Sequence, residues 1–140
     1  MAFARLHNVD LVTKSDVLKY SDVVSLHVPL NNSTKNFIVK SDIELMQSNA
    51  VLINTARGGI VSEADLYECL SNDVISGAAV DVFEGEPYSG SLKLLENCLL
   101  TCHMGASTID SRSAMELEAV EEVIRFNQGE GLKNEVFEKS

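Results

Sequence analysis

The chain has 140 residues, 45% of them hydrophobic, with 21 acidic against 11 basic side chains and a net charge of −10. That length suffices for one well-buried core, and so acidic a surface repels nucleic acid and acidic membranes. No apolar run approaches the roughly 18–20 residues of a membrane span; the N-terminus lacks a secretion-signal core; and three cysteines (Cys69, Cys98, Cys102) suit a reducing, cytoplasmic setting better than a disulfide framework.

In chain order, residues 15–20 predict a short helix, and Val23-Val24-Ser25-Leu26-His27-Val28 a first strand. Ser41-Asp42-Ile43-Glu44 has the pattern of a capping box and predicts a second helix. Residues 50–53 predict the second strand. Ser62-Glu63-Ala64-Asp65 repeats the capping pattern ahead of Leu66, Cys69 and Leu70. The third and fourth strands are expected at 78–82 and 98–101. Ser107-Thr108-Ile109-Asp110 opens the longest helix, which runs to about Gln128 with Gly129 as its stop. Ala114, Leu117, Val120 and Ile124 share one face of it, away from Glu116, Glu118 and Glu122. Most of the apolar runs alternate little, as strands covered on both faces do. Strands alternating with helices predict an α/β fold with a parallel sheet and right-handed crossovers.

In such sheets ligands bind beyond the carboxyl ends of the strands. The segments that follow the apolar runs hold Pro29-Leu30, Ala56-Arg57-Gly58-Gly59, Glu84-Gly85-Glu86-Pro87 and Cys102-His103-Met104-Gly105. Three of them carry a group of a different kind: a guanidinium, a carboxylate and an imidazole. Arginine holds a carboxylate in a planar fork through charge-assisted hydrogen bonds of about 1.5–3 kcal/mol each. Histidine titrates near neutrality and can take and return a proton. A carboxylate behind it fixes the tautomer and favours the protonated ring. By charge alone Glu84 serves as well as Glu86. Singly, each residue also fits a plainer role: a surface ion pair for Arg57, a solvated acid for Glu86, a hydrogen-bonded structural ring for His103.

The segments SDVVSLHVPL, VLINTARGGIVSEADL, SGAAVDVFEGEP and HMGAST stand in the order and near the spacing of one known family. From about Ser21 to Val136 the chain resembles the second half of the nucleotide-binding domain of the D-isomer-specific 2-hydroxyacid dehydrogenases, and GAST leans toward their phosphoglycerate-dehydrogenase-like branch. The resemblance implies a Rossmann-type fold and hydride transfer between NAD, or NADP, and a small 2-hydroxy or 2-keto acid. It implies that Arg57 binds the substrate, that Glu86 rather than Glu84 pairs with the histidine, and that His103 is the general acid/base. Val28, Pro29, Thr55, Ala56, Asp81, Gly105 and Ala106 would line the nicotinamide and its ribose, beside Arg57 and His103. Cys102 stands where the family often has proline, and Ser62 where aspartate or asparagine is common.

The family's G-x-G-x-x-G pyrophosphate loop has no match, since Gly129-Glu130-Gly131 follows a helix and lacks the third glycine. The 140 residues thus read as a single, partial NAD-binding domain without the glycine-rich first half or the substrate domain. Its first strand is expected to form an exposed apolar edge that pairs with another copy or with a separately supplied first half. The rival reading is a truncated fragment that folds and self-associates without turnover. Metal binding through Cys98, Cys102 and His103 lacks the spacing of common zinc sites, and none is expected. His27 is expected to be a packed or hydrogen-bonded residue.

Overall fold

The structure, a computed structural model, describes Ala4 and residues 6–135. The chain divides into two compact units, Met1–His103 and Met104–Ser140. In the first, α1 (Lys14–Tyr20), β1 (Val23–Leu26), α2 (Lys40–Ile43), β2 (Val51–Asn54), α3 (Glu63–Ser71), β3 (Gly77–Val80), a 3-10 turn (Ser91–Leu94) and β4 (Cys98–Leu100) follow one another. The strands form one parallel sheet in the order β1-β2-β3-β4. The expected α/β alternation is present, with each strand shifted or trimmed by a residue or two.

Local chemistry sets the helix ends. Thr13 and Asp16 close a capping box around the first turn of α1, with the Thr13 hydroxyl oxygen accepting from the Asp16 N–H at 3.2 Å. Ser62 caps α3 by accepting from the Asp65 N–H. The second helix differs from its expected start. It begins at Lys40, where the Asp42 carboxylate reaches back to the Val39 N–H at 3.1 Å, and Ser41 lies inside the first turn. An apolar Val39 thus precedes the helix, and only the acidic half of the box is left to hold it.

Leu18, Ile43, Leu66 and Leu70 from the helices pack with Val24, Leu26, Leu52 and Val80 from the strands. The opposite face of the sheet departs from the expected coverage on both sides. In register across it lie Ser25, Ile53, Ala79 and Leu99, of which Ser25 and Leu99 are exposed. Val23, at 56% exposure, lies on the same side of β1. Apolar residues on both faces of a strand reveal what it could bury; they do not guarantee that both faces are covered.

The second unit holds α4 (Ile109–Gln128). The Thr108 hydroxyl oxygen caps it by accepting from the Ser111 N–H at 3.2 Å. Gly129, with φ 71°, ends it in the left-handed region where glycine is favoured. Its limits match the expected helix, and its apolar side chains Leu117, Val120 and Ile124 are exposed. No helix among the described residues is long and apolar enough to cross a membrane.

Candidate functional site

At the carboxyl ends of the strands, β2 turns sharply into the segment that holds Arg57. The turn is held by Asn54, a buried polar residue. Its Oδ1 accepts from the Ala56 N–H at 3.2 Å, and its Nδ2 donates to the Arg57 carbonyl at 3.1 Å. A short amide side chain can satisfy a buried donor and acceptor together in this way. Gly58 comes next because nothing larger fits: a Cβ there would lie 2.0 Å from the carbonyl carbon and oxygen of Phe83. That close approach brings the Arg57 loop against the loop that carries Glu86.

The β3 end is tied to both neighbours. The Asp81 N–H donates to the Asn54 carbonyl at 3.0 Å, and the Asp81 carbonyl accepts from the His103 N–H at 2.8 Å. The buried Asp81 carboxylate accepts from the Thr101 hydroxyl at 2.5 Å. Backbone bonds therefore run from the Arg57 turn through Asp81 to His103. His103 itself adopts φ 53°, in the left-handed region that a β-carbon disfavours. Such conformations cluster where the surrounding structure imposes an orientation on a side chain.

The imidazole Nδ1 lies 3.0 Å from Glu86 Oε2 and 3.2 Å from Oε1. An ionised carboxylate only accepts, so Nδ1 carries the proton in this contact, and Nε2 is the ring nitrogen that Glu86 does not engage. Glu86 Oε1 also accepts from the Phe83 N–H at 3.1 Å. The hydrogen bond from His103 chiefly, and that from Phe83 second, hold the Glu86 carboxyl below its ordinary titration range. Glu84 takes no part in this contact; its N–H donates to Glu63 Oε1 at 2.8 Å.

Arg57, Glu86 and His103 line one cleft of about 590 Å3 together with Lys35, Asn31 and Glu84. Val28, Pro29, Thr55 and Ala56 line an adjoining cleft of about 600 Å3 that shares Arg57 and Leu30 with the first. Asp81 is buried, 7% exposed. Gly105 and Ala106 fall in the second unit. Cys102 lines a third, apolar cleft of about 620 Å3 with Phe83, Glu86 and Tyr88. His27 is exposed, just beyond β1, and is hydrogen-bonded to Ser25 Oγ at 2.8 Å. Among the described residues no three His, Cys, Asp or Glu side chains are grouped to hold a metal ion.

The donor set suits a nicotinamide cofactor. Val28, Pro29 and Ala56 offer apolar surface for a flat ring, and Thr55 a hydroxyl, beside a cation and an imidazole with a fixed tautomer. Asn54, Thr101 and Lys35 escape a reading of sequence. Asn54 and Thr101 follow apolar runs as ordinary strand-end polar residues do, and their roles depend on burial. Lys35 sits in a polar loop, and its nearness to Arg57 is tertiary.

Residues 3–105 match the model of the NAD-binding domain of D-isomer-specific 2-hydroxyacid dehydrogenases. The glyoxylate reductase of Thermococcus litoralis is 42% identical over 115 residues, which are 81% of this chain and 35% of that protein. The D-3-phosphoglycerate dehydrogenase of Methanocaldococcus jannaschii is 39% identical over 123 residues, 87% of this chain and 24% of that protein. Among solved structures, a D-lactate dehydrogenase with NAD+ from Lactobacillus jensenii superposes with a TM-score of 0.81 at 30% identity, over 90% of this chain and 42% of that one. The chain therefore spans less than half the length of each of these proteins.

Proposed function

Because the chain belongs to the D-isomer-specific 2-hydroxyacid dehydrogenases, through their NAD-binding domain, we propose that it binds NAD and forms the proton-transfer half of a site that interconverts 2-hydroxy and 2-keto acids. The observation that carries this reading is the His103 Nδ1–Glu86 pair, 3.0 Å apart, in one cleft with Arg57.

A bound nicotinamide supplies or accepts the hydride at C2 of the acid. The Arg57 fork holds the acid's carboxylate, which fixes C2 relative to His103. In reduction, Nε2 of the protonated ring gives its proton to the C2 oxygen, and Glu86 stabilises the ring's charge before transfer. In oxidation, Nε2 takes the hydroxyl proton back. Val28, Pro29, Thr55 and Ala56 hold the nicotinamide end, with the buried Asp81 holding the end of β3 beside them. Residues 1–140 are one part of such a domain, and the glycine-rich half and the substrate domain belong to its full architecture. Glyoxylate and 3-phosphohydroxypyruvate are the substrates to try first, given the two relatives' names. Free Cys69, Cys98 and Cys102 fit a cytoplasmic setting.

The test is NADH oxidation with a panel of 2-keto acids. Replacing the general acid (His103→Ala) lowers the rate by about 10²–10⁴ with the fold retained. Turnover that His103→Ala leaves unchanged overturns the assignment.

A second reading, a domain that folds and self-associates without turnover, draws on the exposed Val23 at edge strand β1. It predicts no oxidation of NADH, together with a concentration-dependent dimer in sedimentation that Val23→Lys weakens. A monomer at all concentrations would remove the association.

A further inference from the structure

Glu86 sits in a loop that the backbone itself hardly holds. Among the described residues, 84–89 make no backbone-to-backbone hydrogen bond. Glu84, Gly85, Glu86 and Pro87 are exposed, and a Cβ at Gly85 would meet nothing within 4 Å. The contact with His103 nevertheless needs the Glu86 carboxylate in one place. Side chains must supply what the backbone does not. One of them, Glu63, accepts from the Glu84 N–H at the start of the loop.

Tyr88 closes the other end. Its ring stacks on that of Phe83, with centroids 4.1 Å apart and planes 21° from parallel. Phe83 is a fixed base for this stack, buried and pressed through its backbone against Gly58. Glu86 lies between the two rings in sequence, so the stack closes the exposed tip on itself and shortens the reach of the carboxylate. The far end of the Tyr88 ring is held as well. Its hydroxyl oxygen accepts from the N–H of Leu92, a core residue, at 3.2 Å. Gly90 leaves the room for it: a Cβ there would lie 2.3 Å from the Tyr88 hydroxyl oxygen and 2.5 Å from Cζ. Gly90 has φ −75°, which other residues adopt freely. The Tyr88 ring, and not the backbone, is what asks for glycine at that position.

We propose that Tyr88 is a positioning residue for the proton-transfer pair: its ring, stacked on Phe83, clamps the loop so that Glu86 stays against His103 and the neutral imidazole keeps its proton on Nδ1. The proposal rests on the reading of Nε2 as the atom that exchanges a proton with the acid. Tyr88 acts through Phe83 and Glu86. With the loop unclamped, Glu86 swings into solvent and the imidazole proton is shared between the two nitrogens, because the tautomer is set by the hydrogen bond the ring makes. A ring with its proton on Nε2 cannot take another there, so the clamp keeps the site ready before a ligand arrives.

Long-range proton–nitrogen NMR of the nitrogen-labelled 140-residue chain, at a pH where the rings are neutral, reads the tautomer directly. His103→Ala identifies the signals of this ring among the three histidines. The wild type should show Nδ1–H in excess, and Glu86→Ala gives the ratio without the pair. Tyr88→Leu keeps an apolar side chain and loses the stack. It should lower the ratio of Nδ1–H to Nε2–H by about three- to tenfold, the scale of one aromatic pair. Tyr88→Phe keeps the stack and should hold the ratio within about twofold. Gly90→Ala, which displaces the ring without removing it, should lower the ratio as Tyr88→Leu does. A substitution that merely loosens the fold lowers the melting temperature and leaves the ratio alone. A wild-type ratio in Tyr88→Leu overturns the clamp, as does a loss in Tyr88→Phe equal to that in Tyr88→Leu. Where Tyr88→Leu does not melt cooperatively, a wild-type ratio in Gly90→Ala overturns it instead. Turnover of NADH with glyoxylate is measured in parallel: none by the wild type would overturn the proposed function, while the tautomer ratio still decides the clamp.

Discussion

Glu86 is held ionised by two donors, the His103 ring and the Phe83 N–H, and its folded pKa lies below its ordinary value. A carboxylate depressed in this way stabilises the fold at pH values above its unfolded pKa of about 4.3, and the contribution fades as pH falls toward the folded value. Glu86→Gln should therefore lower the melting temperature by a constant amount at neutral pH, and the deficit should shrink below about pH 4. A deficit that persists unchanged into strong acid would show that Glu86 acts through packing and not through charge. Gly58 allows an equally local test. A Cβ 2.0 Å from the Phe83 backbone cannot be relieved by turning a side chain, so Gly58→Ala should cost about 1–3 kcal/mol in urea unfolding. On the proposed function it should also impair activity, because the same contact sets the Arg57 loop against the loop that carries Glu86. A neutral Gly58→Ala would mean that the two loops separate freely. Arg57, Glu86 and His103 were legible in the sequence because each has distinctive chemistry and follows an apolar run. The choice between Glu84 and Glu86 could not be made from charge, since both lie in one loop; the family resemblance pointed to Glu86, and in the fold it is Glu86 that contacts Nδ1. Asn54 was illegible for the opposite reason: its chemistry is ordinary, and only its burial gives it a task.

Among the elements, the strands and long helices follow from their apolar runs and caps, and differences arise where two signals compete. In α2 the pattern at Ser41 suggested a cap, yet Asp42 reaches the Val39 N–H and draws the helix back to Lys40. In the sheet, scarcity of alternation suggested cover on both faces. Leu99, 66% exposed, shows that composition measures the capacity for burial. The long helix α4 is the element most dependent on its own ends, because its apolar side chains are exposed and propensity and caps carry much of its stability. The Thr108 hydroxyl satisfies the Ser111 N–H, so Thr108→Ala should remove about 0.5–2 kcal/mol of helix stability. Circular dichroism during thermal unfolding measures this; an unchanged helical signal at every temperature would mean that the cap is dispensable.

For the whole molecule, the charge of −10 sets a background against which a few cations are placed. Cations paired with acids along the surface contribute little each, whereas Lys35 and Arg57 share the cleft of His103 with Glu84 and Glu86. A strongly acidic protein built in this way attracts an anionic acid only where its cations are concentrated. The parallel sheet brings this about: Arg57, Glu86 and His103 are far apart in sequence and meet because parallel strands direct their carboxyl ends to one edge. Lys35 joins them because its loop bonds to the Arg57 segment. On the proposed function, this edge of the 140-residue chain receives a nicotinamide cofactor beside His103. The most direct measurement is a fluorescence titration of NADH with the purified chain, alongside Arg57→Ala and His103→Ala. Saturable binding by the wild type, weakened by either substitution in a protein that still melts cooperatively, is the result predicted. No saturation up to millimolar NADH would contradict the claim and leave the folded, non-catalytic reading in its place.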